Sequence, residues 1–302
     1  MEENLRLIDV VAEVLDARLP ESSRNPDIGR MASGKLRLLI LTKSDLADEK
    51  LTKEWIEAYE AQGIKAIAID ARDKAYAGKI RALIRALSKD KKERDLKRGI
   101  KNRPIRAMIC GIPNAGKSTL INLLAGKKSA KTGNKPGVTR GKQWIKLEKE
   151  LELLDTPGLL WPKFEDPLVG MNLAFVGTIN DQIINAQELS GAFLAWAGKN
   201  YPEKLADRYG LQLPDSFLGD PSQEPAQGGA LASHLLLEKI AEKRGMVLSG
   251  GVLDLERTAA MVLDEFRTGK LGRMTLESPD RLRRDFENSQ KKKTEAGAGS
   301  AR

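Results

Sequence analysis

The stretch GIPNAGKS, residues 111–118, satisfies the pattern G-x-x-x-x-G-K-[ST]. Its chemistry is phosphate binding. Glycines let backbone N–H groups turn inward around an anion. Lys117 adds positive charge at the β and γ phosphates, and Ser118 offers an oxygen to Mg²⁺. Asn114, Ala115, Gly116 and Thr119 complete the loop and the first helical turn. The apolar run IRAMIC at 105–110 precedes it and an apolar-periodic segment from 118 to about 125 follows. That strand-to-helix setting is the one such a loop requires, and it disfavours an ordinary glycine turn with a surface lysine.

A second set of residues belongs to the same chemistry. ELELLDTPG at 150–158 ends a strand in Asp155, where a carboxylate can hold Mg²⁺ through water, and the Gly158 N–H can sense a γ-phosphate. Between the two lies KPGVTRG, whose Thr139 could close over the same ion. A third element, LILTKSDL at 39–46, is a buried run followed by Thr-Lys-x-Asp, a near match to the Asn-Lys-x-Asp loop that reads guanine. In such a loop the carboxylate of Asp45 accepts the N1–H and N2 amino group of the base, the Lys43 stem packs along it, and Thr42 and Ser44 complete the turn. Adenine lacks that donor pair, so an unpaired carboxylate penalises it. IDARD at 69–73 follows the next strand, and Asp70 and Ala71 stand where a second base-contacting loop belongs, with the Ala71 backbone facing the guanine O6 side.

These loops need a sheet to hold them. Strands are expected over 8–16, in KLRLLILTKSD at 35–45, in IKAIAIDAR at 64–72, over 105–110 and, as two strands around a turn near Lys149, 142–155; helices are expected over 50–62 and 78–88. Strands alternating with helices predict a parallel α/β sheet. Residues 88–104 are mostly charged and read as a solvated helix end or linker. After about Phe175 the pattern becomes helical, with Leu255, Ala259, Val262, Leu263 and Phe266 on one helix face and Gly269 in a C-cap position. The predicted division is a nucleotide domain over 1–175, a helical domain over 176–288 and a disordered tail over 289–302.

Composition fits that division. The chain has 302 residues, 41% hydrophobic and 31% charged, with a formal net charge of +9. The excess suits an anionic partner such as nucleic acid and, equally, a basic solvated surface. A single cysteine, Cys110, excludes an internal disulfide framework and points to a reducing, cytoplasmic compartment. No run approaches the roughly 20 apolar residues of a membrane span, so no membrane partner is expected.

In an ordinary GTPase the phosphate loop comes first and the base-reading loop last. Here the five loops occur in the order four, five, one, two, three, which is a circular permutation with its join in the charged stretch. Permutation is tolerated because domain ends lie at the surface, often close together. With DARLPESSRNPDI, TKSD, GIPNAGKSTLIN, KPGVTRGKQW, DTPGLLWPK and EKRGMVLSGGVLDLERTAAMVLDEFRTGKLGRMTLE in this order, the chain resembles the circularly permuted GTPases of the YlqF type, ribosome biogenesis GTPase A, from about Leu5 to Phe286. The resemblance implies a circularly permuted Ras-like P-loop GTPase domain followed by an all-α C-terminal domain that contacts ribosomal RNA. It also implies GTP hydrolysis coupled to late maturation of the large ribosomal subunit. A nucleotide-regulated RNA-binding scaffold with little hydrolysis is the alternative, and an ATPase or small-molecule kinase is a weaker one.

Further expectations attach to that reading. Asn114 is a candidate holder of K⁺, as in related GTPases. The basic set Arg267, Lys270 and Arg273, with Arg281, Arg283 and Arg284, is the candidate RNA contact, and a monomer is expected. Relatives have Asn at the place of Thr42, and carry a Trp-Phe-Pro-Gly-His-Met segment whose histidine is implicated in hydrolysis; the sequence here starts beyond it. Leu159 stands where Ras-like enzymes place a water-orienting Gln. No catalytic group is therefore assigned, and slow hydrolysis is expected. One test follows from the base-reading loop. Asp45→Asn offers a donor where guanine's amino group needs an acceptor, and is expected to favour xanthine nucleotides in competition binding.

Overall fold

The computed structural model of the chain describes residues 5–101, 103–126, 143–158, 160, 161, 164, 166–179, 185–213, 228–284 and 286. Six strands make one sheet in the order β3-β2-β1-β4-β6-β5. They are β1 (Val10–Asp16), β2 (Leu36–Thr42), β3 (Lys65–Ala68), β4 (Ile105–Gly111), β5 (Gln143–Glu148) and β6 (Leu151–Asp155). Every neighbouring pair is parallel except the β5–β6 hairpin. β1 sits between β2 and β4, and all seven of its residues are buried, the carboxylates Glu13 and Asp16 among them, as a strand covered on both faces demands.

Five helices of this part have local causes in the sequence. Asn25 caps α1 (Pro26–Met31) by accepting the Asp27 N–H, with Pro26 at the first position. Asp48 caps α2 (Glu49–Ala61) by accepting the Leu51 N–H. α2 packs Trp55 and Tyr59 onto Leu15, Leu39 and Leu41 of the sheet. α3 (Ala75–Leu87) buries Ala77, Ile80 and Ile84. The charged stretch forms α4 (Lys89–Lys97), which buries no residue. Charge anchors it: Lys91 and Arg103 reach Asp9, and Lys92 reaches Glu150 at 2.6 Å. α5 (Lys117–Ala125) follows the phosphate loop.

Two compact units make up the chain, Met1–Lys163 with Thr275–Arg302, and Phe164–Met274. The sequence alone places the boundary at 175 and keeps 275–288 with the helices. The structure moves the boundary to 163/164 and returns the later segment to the sheet unit. The reason is a strap of specific contacts. The Leu276 N–H donates to the Arg18 carbonyl at 2.7 Å, and the Asp48 N–H donates to the Thr275 hydroxyl at 3.0 Å. The Glu277 carboxylate accepts the backbone N–H groups of Glu21 and Ser22 at 2.8 and 3.0 Å and the Ser22 hydroxyl. Trp55 Nε1 donates to the Glu277 carbonyl at 3.0 Å, and Leu282 packs on the Leu15, Trp55 and Tyr59 cluster. Arg283 lies 3.7 Å from Glu54.

The second unit is helical: α6 (Pro167–Phe175), α7 (Ala186–Asn200), α8 (Pro202–Tyr209), α9 (Gly228–Arg244) and α10 (Leu255–Arg267). Phe193 joins Phe175 and Phe266 with ring centroids 5.6 and 4.7 Å apart. Arg267 caps the end of α6, its Nε and Nη2 donating to the Phe175 and Ala174 carbonyls at 2.9 and 2.8 Å. Buried Glu265 is held by Arg208 and Arg244.

The strap leans on one buried ion pair. Arg18 is 1% exposed and forks onto Asp16, Nε to Oδ1 at 2.9 Å and Nη2 to Oδ2 at 2.8 Å. Arg18 and then Lys43 hold the Asp16 carboxyl well below its ordinary value of 3.8 against the opposing cost of burial. Removing that charge strands a buried guanidinium. Asp16→Asn is expected to cost about 3–5 kcal/mol in urea unfolding near neutral pH. A depressed folded pKa stabilises above the unfolded value and is lost below it. The difference from wild type should therefore be constant well above pH 3.8 and shrink below it.

Candidate nucleotide site

The four predicted loops among the described residues, those after β2, β3, β4 and β6, leave the carboxyl edge of the sheet, the usual ligand edge of a parallel α/β fold. The register explains their convergence. Gly111 pairs with Val14 and Thr42 with Asp16, so β4, β1 and β2 end side by side.

The phosphate loop is set by backbone geometry. Gly111 has φ 151°, and a Cβ there would stand 2.4 Å from the Val14 carbonyl oxygen, so only glycine fits. Asn114 and Gly116 also turn through positive φ, at 60° and 84°. Gly116 is the N-cap of α5 and supplies no side chain, which leaves the first N–H groups of the helix to an anion. Ala115 and Lys117 are buried, and Ser118 and Thr119 are half-buried. Burial pushes the Lys117 ammonium down and the Asp155 carboxyl up, and each charge opposes the other's shift. Asp155 Oδ1 is buried with no hydrogen-bond partner. An orphaned carboxylate oxygen beside the phosphate loop fits a hard cation such as Mg²⁺. Among the described residues no group of three or more His, Cys, Asp or Glu could hold a metal, so such an ion would draw on phosphate oxygens and water. Gly158 approaches the loop directly: a Cβ there would lie 3.0 Å from Pro113 N. Thr139 and Leu159 lie outside the described residues.

The other end of the site is built from side chains. Thr42 is fully buried, and its hydroxyl lies within hydrogen-bond distance of the Leu15 carbonyl, at 3.0 Å, and of the Ala115 carbonyl in the phosphate loop. It donates to one at a time. Thr42 thus joins the two loops from beneath, a structural use of the position where relatives are expected to have Asn. Lys43 takes φ 56° and sends its Nζ to Asp16 Oδ2 at 2.8 Å. Ser44 donates its N–H to the Ile69 carbonyl at 3.2 Å, which ties this loop to the one after β3. There Asp70 accepts the Arg72 backbone N–H and side chain, and Arg72 Nη2 reaches Asp45 Oδ2 at 2.6 Å. Ala71 sits between them, half-buried.

Sequence reasoning missed Asp16, Arg18 and Arg72. The signal was present as a repeated tripeptide. Asp-Ala-Arg occurs at 16–18 and 70–72, and in both the arginine bends back to fork onto its own aspartate. The first hook holds Lys43, and the second holds Asp45. Of the basic set, Arg267 is spent on the α6 carbonyls, and Arg283 belongs with the sheet unit. Lys270 and Arg273 are exposed. His234, on α9, is an exposed helical residue 3.6 Å from Glu238.

A mostly parallel sheet carrying a Gly-rich phosphate loop, a D-x-x-G loop and a T-K-x-D loop at one edge defines a P-loop GTPase. Comparison with known proteins agrees. Residues 106–196 match the family described as 50S ribosome-binding GTPase. Ribosome biogenesis GTPase A of Bacillus cereus is 46% identical over 290 residues, 96% of this chain and 93% of that one. Among solved structures, GDP-bound TM YlqF aligns with a TM-score of 0.61 at 29% identity over 92% of this chain and 98% of its own. GNP-bound YlqF from Thermotoga maritima aligns with a TM-score of 0.60 at 30% identity, over 92% and 96%. The chain belongs to the ribosome biogenesis GTPase A family.

Thr42 gives a test that separates packing from hydroxyl chemistry. Thr42→Val keeps the shape and leaves a buried carbonyl without its donor. It is expected to lower stability by about 1–3 kcal/mol and to weaken GDP binding, whereas Thr42→Ser stays near wild type on both. Urea unfolding and nucleotide titration read the two effects.

Proposed function

We propose that this GTPase is an assembly factor for late maturation of the large ribosomal subunit, using GTP as a switch on its binding to ribosomal RNA. In this reading Asp45 and the Ala71 backbone read guanine. The α5 N-terminus and Lys117 hold the phosphates. Ser118, Thr139 and Asp155 hold Mg²⁺, which would neutralise charge on the phosphates, and Asn114 is placed to help hold K⁺. The names of the relatives and of the matching family support the ribosomal role. The net charge of +9 and the exposed Lys270 and Arg273 support an RNA partner reached through the helical unit. One buried cysteine suits action in the cytoplasm.

A circular permutation accounts for the strand order. The phosphate loop follows the fourth strand in the chain, although that strand lies inside the sheet between β1 and β6. Read from β4 to β6 and then from β1 to β3, the loops fall in the ordinary order.

The observation that carries the switch is the approach of Gly158 to Pro113. A γ-phosphate seated on the loop bears on Gly158, and the chain runs from there into the helical unit, which begins at Phe164. Binding of large subunits should be tighter with a non-hydrolysable GTP analogue than with GDP. By linkage, subunits should then tighten the analogue by the same factor. Equal affinity in both nucleotide states, across a salt series, would sink the switch and favour a constitutive RNA-binding scaffold. Charge reversal at Lys270 and Arg273 is expected to lower the salt slope by about one unit for each RNA phosphate that is no longer neutralised, with nucleotide affinity unchanged.

A further inference from the structure

Arg72 stands on the carboxylate that the proposed function needs for guanine. Its Nη2 donates to Asp45 Oδ2 at 2.6 Å. The same guanidinium forks onto Asp70, Nε to Oδ1 at 2.9 Å and Nη2 to Oδ2 at 2.8 Å. Asp70 Oδ1 also accepts the Arg72 backbone N–H at 2.9 Å, so this loop is folded on itself before a base arrives. The Arg72 side chain is 70% exposed and that of Asp45 26%. The guanidinium therefore covers a mostly buried acceptor from the solvent side.

The chemistry of the two donors is alike. Guanine's N1–C2–N2 edge is itself a guanidine, presenting two parallel N–H groups to a carboxylate. The arginine side chain presents the same kind of edge with a full positive charge. We propose that Arg72 is an internal competitor for guanine, which occupies Asp45 until a base with the same donor edge displaces it and so sets the net affinity for guanine. The proposal rests on Asp45 reading guanine. Adenine has no such edge to exchange, so it leaves Arg72 on Asp45 and its affinity does not depend on the arginine. Guanine replaces one donor with its equivalent, and the cost of the exchange lowers its net affinity.

The two Asp-Ala-Arg hooks show why this one can open. Arg18 is 1% exposed and cannot leave Asp16 without stranding a buried charge. Arg72 is in water, where breaking its contact with Asp45 costs little. The hook to Asp70 keeps the guanidinium within reach, so it can recapture Asp45 when the base departs.

Titration of the full chain with GDP and with ADP tests this. Arg72→Ala is expected to bind GDP about two- to fivefold more tightly than wild type, the size that an exposed ion pair supports, with ADP unchanged. Raising KCl should close the gap, because it screens the pair in the wild type. Arg72→Lys should fall between. In an Asp45→Ala background the Arg72→Ala change should have no effect on GDP. Weaker GDP binding by Arg72→Ala, equal binding at every salt concentration, or a gain that persists without Asp45 overturns the proposal. Should Asp45→Ala alone leave GDP affinity at the wild-type value, the base-reading assignment fails, and the competitor falls with it. Thermal melting of each variant confirms that the comparison is between folded proteins.

Discussion

A buried carboxylate must find positive partners, and in this protein that need organises the end of the site that carries the T-K-x-D loop. Asp16 lies at the end of a fully buried strand and meets Arg18 from its own loop and Lys43 from the next strand's loop. Each partner is committed elsewhere. Lys43 is flanked by Thr42, which reaches into the phosphate loop. The carbonyl of Arg18 holds the returning strap at Leu276. One charge therefore fixes three segments that are far apart in the chain, and it does so in a place where water cannot substitute for any of them.

The phosphate end works on the opposite principle. Lys117 and Asp155 are both taken out of water, and Asp155 Oδ1 has no hydrogen-bond partner. Such a site carries its electrostatic cost before the ligand arrives. The base end is satisfied in advance, and the phosphate end is incomplete until filled; the nucleotide has to exchange at one and complete the other.

Much of this was legible in the sequence, for identifiable reasons. Gly111, Gly116 and Lys117 are legible because a phosphate loop needs special backbone at fixed spacing, and spacing is a local property. β1, β2 and β4 are legible because doubly covered strands are predominantly apolar runs. The strap was not legible. Its contacts join residues such as Ser22 and Glu277, 255 positions apart, and its residues are polar ones that any surface loop could carry. Arg267 misled for a related reason. A basic residue at the end of an amphipathic helix looks like a phosphate contact, and only the structure shows its N–H groups turned onto the Ala174 and Phe175 carbonyls. The two Asp-Ala-Arg hooks were readable as a repeat, but nothing in the letters says that one is buried and the other is in water.

The strap also bears on how the protein is made. Residues 164–274 are interposed between the sheet and the segment that finishes it. While the chain leaves the ribosome, the Ser22 and Asp48 N–H groups and the Trp55 indole wait for acceptors on Thr275 and Glu277 that do not yet exist. The helical unit emerges whole and can fold in that interval. The nucleotide unit closes only when translation has passed the strap, so a nascent chain halted within the helices holds every nucleotide loop and still lacks the clasp behind its base-reading end.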